Sequence, residues 1–229
     1  MIYLHIGAGP ADLDKRTGGR CGFTEFIKKN YKLGDKIFLV EANPLHIPQL
    51  KKTYRHYDNV KIFNLGISNA ANSYLQFYYS NDDKPHYPTC SLKYEHVKKH
   101  YPSSKISKFR VKTMSIKNFL KKYINEDIDY CCIDIEGMEY KVLNSINYKK
   151  QIIKNLSFEF VHLTKIQKRE LIKNLTNNGY TYCGFGYDHE NLDLLFKKKI
   201  ILTNRLLSKI FWIIGRKHRK LFNFFIFKN

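Results

Sequence analysis

Short apolar segments alternate with segments of helical spacing along most of the chain, and this order restricts the fold more than any other feature. The predicted strands 2–6, 36–40 and 60–65 are separated by predicted helices over 23–31 and 47–57. Parallel strands need a crossover connection, and a helix is the usual one. The alternation therefore predicts an α/β fold, with a doubly wound, mostly parallel, Rossmann-like sheet and helices on both faces.

The second half of the chain continues the alternation after a less regular stretch. Further strands are predicted at 74–79, 109–114, 128–135 and 156–161, and further helices at 92–100, 116–123, 139–146 and 165–177. The segments 179–184 and 192–197 predict a closing antiparallel pair. We expect one domain over residues 1–199, followed by a basic amphipathic tail over residues 200–229.

The first candidate site combines a glycine-rich turn with an acidic strand end. Gly7 and Gly9 follow the first strand, where backbone without side chains can approach a ligand closely. Glu41 ends the second strand, a position from which a carboxylate accepts hydrogen bonds from ribose hydroxyls. GxGxxG and P-loop motifs are absent, so a nicotinamide dehydrogenase or an NTPase is not favoured. A nucleoside-type cofactor is the favoured interpretation, and a tight turn beside a solvated carboxylate is the alternative.

The second candidate site is a group of acids after the strand 128–135. Asp134, Glu136 and Glu139 lie within six residues, and strand alternation puts Asp134 and Glu136 on one side if the strand continues that far. Crowded carboxylates raise one another's pKa, which suits a general base, and they also suit a divalent cation. Glu139 is predicted in the first turn of the next helix, where it interacts with the helix dipole. The alternative is that all three acids are only carboxylates at the N-terminus of this helix, without a catalytic or metal-binding role.

These motifs resemble those of a known family. The segment Asp134-Ile135-Glu136-Gly137-Met138-Glu139 resembles the DxEGxE motif of FkbM-like methyltransferases. The segments 5–9, 40–44 and 64–68 resemble the earlier motifs of that family, in the same order. Ser157-Phe158-Glu159 and Asn178-Gly179-Tyr180 resemble its later motifs, so that the resemblance spans about residues 2–197.

The resemblance implies a class I methyltransferase fold, S-adenosylmethionine as the methyl donor, and a hydroxyl acceptor, often on a sugar or a polyketide-like product. Gly7 and Gly9 are expected near the amino-acid part of the cofactor, Glu41 at its ribose and Ser68 near its adenine. The full set of expected cofactor contacts is His5, Gly7, Gly9, Glu41, Asn43, Ser68 and Asp134. The chain departs from the family in two places: His5 replaces a common Asp, and the loop over 11–22 is longer than in many members.

Methyl transfer of this kind is an in-line displacement, which requires alignment of donor and acceptor and removal of the hydroxyl proton. Asp134 or Glu136 is the predicted base, with Glu159 as the next candidate. The scheme requires no metal, and the sequence lacks HExxH. The predicted substrate-binding residues are His86, Ser91, His96 and His162; the alternatives are a helix cap for Ser91, which is favoured, and surface positions for the histidines.

The chain carries a formal net charge of +20 at pH 7, and ten of its Lys and Arg residues, with no Asp or Glu, lie between Lys197 and Asn229. This field attracts phosphates, anionic glycans or anionic lipids. The tail over 200–229 has amphipathic helical spacing, which fits an anionic membrane surface, nucleic acid, or packing on its own domain. A hydroxyl-bearing glycan, lipid-linked sugar or metabolite is the expected acceptor. The alternatives are an RNA methyltransferase and a non-catalytic binding protein on a degenerate methyltransferase fold.

Five cysteines occur without a CxxC pair, which indicates reduced thiols and gives no zinc motif. The chain opens on a strand-like segment without a basic signal region. The longest apolar run near its end, 210–214, is far shorter than the roughly 20 residues of a spanning helix. We therefore expect a cytoplasmic protein, and peripheral attachment to a membrane surface is one of the alternatives for its tail.

Overall fold

The computed structural model describes residues 1–11, 21–69, 73–84, 90–135, 137–187 and 192–199. Strands and α-helices alternate through these ranges. The strands are β1 (Ile2–Ile6), β2 (Lys36–Glu41), β3 (Val60–Asn64), β4 (Gly66–Ser68), β5 (Tyr74–Ser80), β6 (Ile106–Ser115), β7 (Ile128–Ile133), β8 (Ile153–Glu159), β9 (Tyr180–Phe185) and β10 (Asp193–Lys198). The helices are α1 (Gly22–Asn30), α2 (Ile47–Tyr54), α3 (Tyr94–His100), α4 (Ile116–Tyr123), α5 (Glu139–Ser145) and α6 (Lys165–Asn177).

The main sheet has seven strands in the order β3-β2-β1-β7-β8-β10-β9. The first five of these are parallel to one another, while β10 runs antiparallel to both β8 and β9. The predicted doubly wound, mostly parallel sheet is therefore confirmed, as is its antiparallel closing pair. The strand order reverses between β1 and β7, and in such sheets ligands bind outside the carboxyl ends at this reversal.

Both faces of the main sheet are covered by helices, as predicted. On one face, Leu4 and Ile6 of β1 pack in a core that includes Phe119 of α4, Val142 of α5 and Leu171 of α6. On the other face, a second core joins β1 and β2 to apolar residues of α1 and α2; it contains Tyr3, Leu39, Phe23, Ile27 and Leu50. Because parallel strands are buried on both faces, their sequences are almost continuously apolar.

A three-stranded sheet, in the order β4-β6-β5, is inserted between β3 and α4. Strand β4 is parallel to β6, and β5 is antiparallel to it. Ser115 ends β6, and its side chain accepts the backbone N–H of Asn118 at 3.2 Å, so it caps α4. The insertion is thereby joined to the helix that leads into β7.

Several local predictions differ from the structure; β6 and β8, for example, begin three residues before their predicted starts at 109 and 156. Strand β7 ends at Ile133, so the strand does not continue through Asp134 and alternation does not set the direction of that side chain. Helix α2 ends at Tyr54, before the predicted end at 57. Helix α3 begins at Tyr94 with Lys93 at its N-cap, so Ser91 is not the helix cap. Ser91 instead pairs with Tyr78 of β5 in an isolated antiparallel bridge, which fixes this segment before the helix starts.

None of the helices within the described residues is long and apolar enough to cross a membrane. The tail predicted over 200–229 lies outside these residues, and so does most of the loop over 11–22.

Candidate functional site

The loops after β1 and β7 meet where the strand order reverses. The backbone N–H of Asp134 donates to the carbonyl of Ile6 at 2.9 Å. Gly7 has a φ of +82°, and a Cβ at this position would lie 1.5 Å from the carbonyl oxygen of Asp134. Glycine is therefore required here both for the left-handed backbone and for the close approach of the two loops.

The carboxylate of Glu41 holds the glycine-rich loop against the end of β2. One of its oxygens accepts the backbone N–H of Gly9 at 2.7 Å, and the other accepts that of Asn43 at 2.6 Å. Glu41 is 6% exposed, and each carboxylate oxygen keeps a further lone pair for a ligand hydroxyl. Gly9 has a φ of +57°, and no heavy atom of the described residues lies within 4 Å of its ideal Cβ position. Open space beside a buried carboxylate fits the ribose and neighbouring parts of a nucleoside cofactor.

Asn43 keeps the turn after β2 in place. Its side-chain oxygen accepts the backbone N–H of Leu45 at 3.0 Å, and its Nδ2 lies 3.2 Å from Nε2 of His46. The other ring nitrogen of His46 lies 3.5 Å from Glu41. The predicted residue Asn43 thus orders the same turn that Glu41 bonds to.

Two of the predicted cofactor residues lie deeper than the loop. His5 is 2% exposed and its ring packs on Phe23 of α1, with ring centroids 4.5 Å apart. Ser68 is buried at the end of β4, where it pairs in register with Ser115. The structure therefore places His5 among the residues that support the loop after β1, and Ser68 at the junction with the inserted sheet.

Three carboxylates gather after β7 and β8. Carboxylate oxygens of Asp134, Glu139 and Glu159 all lie within 4.8 Å of one another. Within the described ranges, this is the one group of acidic, His or Cys side chains whose spacing suits a metal ion. Glu139 is fully buried and accepts the backbone N–H groups of Ile135 at 2.7 Å and Gly137 at 2.9 Å. Burial raises the pKa of its carboxyl, although these N–H groups act in the opposite direction.

Glu139 is the residue whose role sequence reasoning missed. It lies in the first turn of α5, as predicted, but its two oxygens also shape the backbone between Asp134 and the helix. The signal was present in its spacing, because an acid at the helix start can reach back to the N–H groups that precede it. Glu136, a predicted base, lies outside the described residues.

Glu159 ends β8 beside His162. Nε2 of His162 lies 3.3 Å from the carboxylate of Glu159, and the His162 side chain is 45% exposed. Asp193 of β10 pairs in register with Glu159. The predicted residues Asp134, Glu159 and His162 are therefore brought to one edge of the sheet, with His162 on the solvent side.

The inserted segment after β5 reaches the cofactor side of this edge. Burial first, and then the charges of Glu41 and Asp83, raise the pKa of the Cys90 thiol to about 12. Asp83 in turn accepts a hydrogen bond from the hydroxyl of Tyr101 at 2.6 Å. The charges of Glu41 and Asp83 thus both act on Cys90, although the three residues are spread along the chain.

The remaining predicted substrate residues are not brought together. His96 lies on an exposed part of α3, with its ring 5.0 Å from that of His100. The Ser91 hydroxyl accepts the backbone N–H of Lys93 at 3.2 Å. His86 lies outside the described residues.

We expect Gly7→Ala to lower the free energy of unfolding by about 2 kcal/mol, because the new methyl group adds left-handed strain and separates the two loops. Gly9→Ala is the matched control: its φ is also positive, but its ideal Cβ position is open, so only about 1 kcal/mol of strain is expected. Denaturant unfolding of both variants measures the difference. Equal losses would show that the contact between the loops does not contribute.

The chain matches a family model described as the methyltransferase FkbM domain over residues 5–182. A search of the curated proteins gave no match.

Several solved structures are also similar. The fibrillarin of Aeropyrum pernix, with natively bound S-adenosyl-L-methionine, is 13% identical with a TM-score of 0.42, over 85% of this chain and 64% of that chain. The ribosomal protein L11 methylase of Lactobacillus delbrueckii subsp. bulgaricus is 6% identical with a TM-score of 0.41, over 86% and 70% of the two chains. The fibrillarin of Methanococcus jannaschii is 11% identical with a TM-score of 0.43, over 86% and 66%. The chain spans about two thirds of the length of these structures.

Proposed function

The chain belongs to the FkbM methyltransferase family and is a methyltransferase that uses S-adenosylmethionine; from this premise we propose that it methylates a hydroxyl oxygen on a glycan, glycolipid or small metabolite. The observation that carries the proposal is the meeting of the loops after β1 and β7, beside a group of three carboxylates, at the reversal of strand order. In such a site, the methyl donor binds on one side and the base that takes the proton of the acceptor lies on the other.

The donor side is formed by the loop after β1 and the end of β2. We assign Glu41 to the ribose hydroxyls, since its buried carboxylate keeps acceptor capacity beside open space at Gly9. Gly7 and Gly9 give the amino-acid part of the donor access to backbone. Asn43 orders the turn next to Glu41, and Ser68 is assigned to the adenine side on the family resemblance.

His5 is assigned an indirect role on this side. Its ring is packed against Phe23 in the core, so it supports the first strand rather than meeting the donor. The departure from the family's usual Asp then changes the support of the loop and leaves Glu41 as the main charged contact. This assignment speaks against a degenerate, non-catalytic site.

The acceptor side is formed by the carboxylate group. S-adenosylmethionine supplies a sulfonium methyl, which is already activated toward an oxygen nucleophile. The residues of the chain must align the hydroxyl and accept its proton, and we assign the proton to the carboxylate of Asp134. Glu139 is not assigned that role because its side chain is fully buried at the start of α5, where its oxygens accept backbone N–H groups.

Glu159 and His162 complete the acceptor side. Their contact of 3.3 Å holds the Glu159 carboxylate near Asp134 while half of the His162 ring faces solvent. We assign His162 to the orientation of the acceptor hydroxyl and Glu159 to the orientation of His162. Ser91 and His96 lie on the inserted segment but do not share a surface, and His86 lies outside the described residues. The assignment of these three residues to acceptor binding therefore rests on the sequence alone.

Transfer of a tritium-labelled methyl group tests the proposal. Purified protein is incubated with labelled S-adenosylmethionine and with separate pools of neutral glycans, acidic glycans, lipid-linked sugars, hydroxylated metabolites and RNA. Label in a glycan, lipid or metabolite pool that survives mild alkali, as an ether does and a methyl ester does not, is the expected result. Label in the RNA pool alone would support the RNA methyltransferase instead, and donor binding without transfer to any pool would favour the binding protein.

A further inference from the structure

One face of the β5–β6 ribbon carries a row of cations. The antiparallel register places Tyr74 opposite Lys112, Gln76 opposite Arg110, and Tyr78 opposite Lys108. Directly opposed residues share a face of the sheet. We call this set of six residues, Tyr74, Gln76, Tyr78, Lys108, Arg110 and Lys112, the basic face.

The cations of the basic face form a straight and uncompensated series. Lys108, Arg110 and Lys112 are all exposed, and they alternate along one strand at intervals of about 6.6 Å. No carboxylate belongs to this face, and none of the three cations forms an ion pair with another described residue. Like charges this close repel each other, so the row costs stability unless an anion lies along it.

The opposite face of the ribbon explains how the insertion stays folded without these cations. The rings of Phe77 and Phe109 stack there with centroids 5.5 Å apart, and Val111 is buried. The apolar face therefore supplies the packing, and the three cations contribute no internal contact. Because the cations alternate with the packed residues along β6, they lie on the face away from the packing and are available to a ligand.

We infer that the basic face binds an anionic polysaccharide, a chain of sugars that carries negative groups at regular intervals. The inference deepens the proposed function, on which it rests, because it identifies the glycan acceptor as an acidic polymer. A linear array of three cations matches a linear polyanion by charge and by direction. Tyr74, which is 63% exposed beside Lys112, offers its ring to the apolar face of a sugar.

Two other polyanions fit the face less well. Single-stranded nucleic acid requires several aromatic rings on which successive bases stack. Here the ring of Tyr78 packs edge-on against Tyr94 at 5.5 Å, and its hydroxyl accepts a hydrogen bond from Gln76 at 2.7 Å, which leaves Tyr74 as the exposed ring. A membrane surface requires apolar side chains that enter the interface, and the basic face contains no aliphatic residue.

The row of cations also leads toward the proposed active site. Strand β6 continues from Lys112 to Ser115, which pairs with Ser68 on the side assigned to adenine. A polymer bound along β6 therefore lies on the strand that ends at this junction, with Ser115 and Ser68 on the face opposite the cations.

The test compares two triple variants with equal charge. Lys108→Gln/Arg110→Gln/Lys112→Gln removes the row, and Lys51→Gln/Lys52→Gln/Arg55→Gln removes two Lys and one Arg from exposed positions around the end of α2. Fluorescence anisotropy is measured with a labelled oligogalacturonate, which has one carboxylate per sugar, and with neutral dextran of the same length. Poly-uridylate and vesicles containing phosphatidylserine are the competing probes.

We expect the row variant to bind oligogalacturonate about tenfold more weakly at 0.1 M salt, with a slope of log affinity against log salt reduced by about 2, at about 0.7 per contact. The α2 variant should stay within twofold of the unaltered protein, and dextran should not bind. Equal losses in the two variants would overturn the inference, because only net charge would then matter. Tighter, row-dependent binding of poly-uridylate or of the vesicles would overturn it as well. Binding of S-adenosylmethionine is measured for the same variants and for the unaltered protein. An unaltered protein that binds the donor but not oligogalacturonate contradicts this inference alone, whereas an unaltered protein that does not bind the donor contradicts the proposed function.

Discussion

Asp134→Asn is expected to lower the rate of methyl transfer by about 10²- to 10⁴-fold, the usual contribution of a general base, while the affinity for S-adenosylmethionine changes little. The amide is nearly the same size as the carboxylate but cannot take a proton from the acceptor. The backbone of Asp134 makes the contacts that join the loops after β1 and β7, and the substitution keeps them. Single-turnover transfer to the best acceptor of the labelled panel measures the rate, and calorimetry measures donor binding.

Asp129→Asn is the matched control for this experiment. Asp129 lies on the same strand β7 at its opposite end, where it accepts hydrogen bonds from Lys154 Nζ and the backbone N–H of Ile2, each at 2.8 Å. Its loss should change stability and leave the rate of transfer unaltered. A rate for Asp134→Asn within threefold of the unaltered protein would remove Asp134 as the base. In that case His162→Gln, paired with Glu159→Gln, asks whether the Glu159–His162 contact performs the proton transfer.

Glu41→Gln is expected to weaken the binding of S-adenosylmethionine by about 100-fold, which corresponds to about 2.7 kcal/mol. The carboxylate of Glu41 accepts the backbone N–H groups of Gly9 and Asn43, and a hydrogen bond to a charged group contributes about 1.5–3 kcal/mol. An amide in this position presents its own N–H₂ group to one of these donors. The variant therefore weakens the ribose contact and also loosens the loop that surrounds the donor.

Glu25→Gln serves as the control for this second experiment. Glu25 lies on α1, the helix between β1 and β2, and its carboxylate lies 3.0 Å from Nζ of Lys28. Calorimetric titration of both variants and of the unaltered protein, in the same buffer, gives the comparison. Unchanged donor affinity in Glu41→Gln, with the protein still folded, would move the donor site away from the end of β2.

Much of the fold was predictable because burial on both faces imposes apolar runs on parallel strands. Strand β1, helix α6 and the closing pair β9–β10 were predicted at or near their observed bounds. The predicted end of β7 was wrong. The strand was predicted to continue to Ile135, but it stops at Ile133 because the next residues turn to meet the loop after β1. Local periodicity does not contain that contact.

The candidate site was partly predictable for a similar reason. Gly7, Glu41, Asp134 and Glu159 follow or end parallel strands, whose carboxyl ends meet at one edge of the sheet. Ser91 was interpreted wrongly, because its helix begins two residues later than the capping pattern suggested. The pairing of Ser91 with Tyr78 is a contact between strands, and such contacts compete with local capping preferences.

The sequence by itself determined which chemical groups stand at the ends of the strands, and in what order, because strand periodicity and glycine turns are local properties. Only the tertiary structure decided which of these groups meet. The meeting of Gly7 with Asp134, where an added Cβ would lie 1.5 Å from the Asp134 carbonyl oxygen, joins two loops through space. The contact of 3.3 Å between Glu159 and His162 and the grouping of Glu159 with Asp134 and Glu139 bring together the ends of two strands. Lys108, Arg110 and Lys112 alternate with other residues in the sequence of β6. That they share an exposed face was decided by the register with β5 and by the packing of Phe77 against Phe109 on the other face. These are long-range contacts, set by packing and strand order rather than by local propensity.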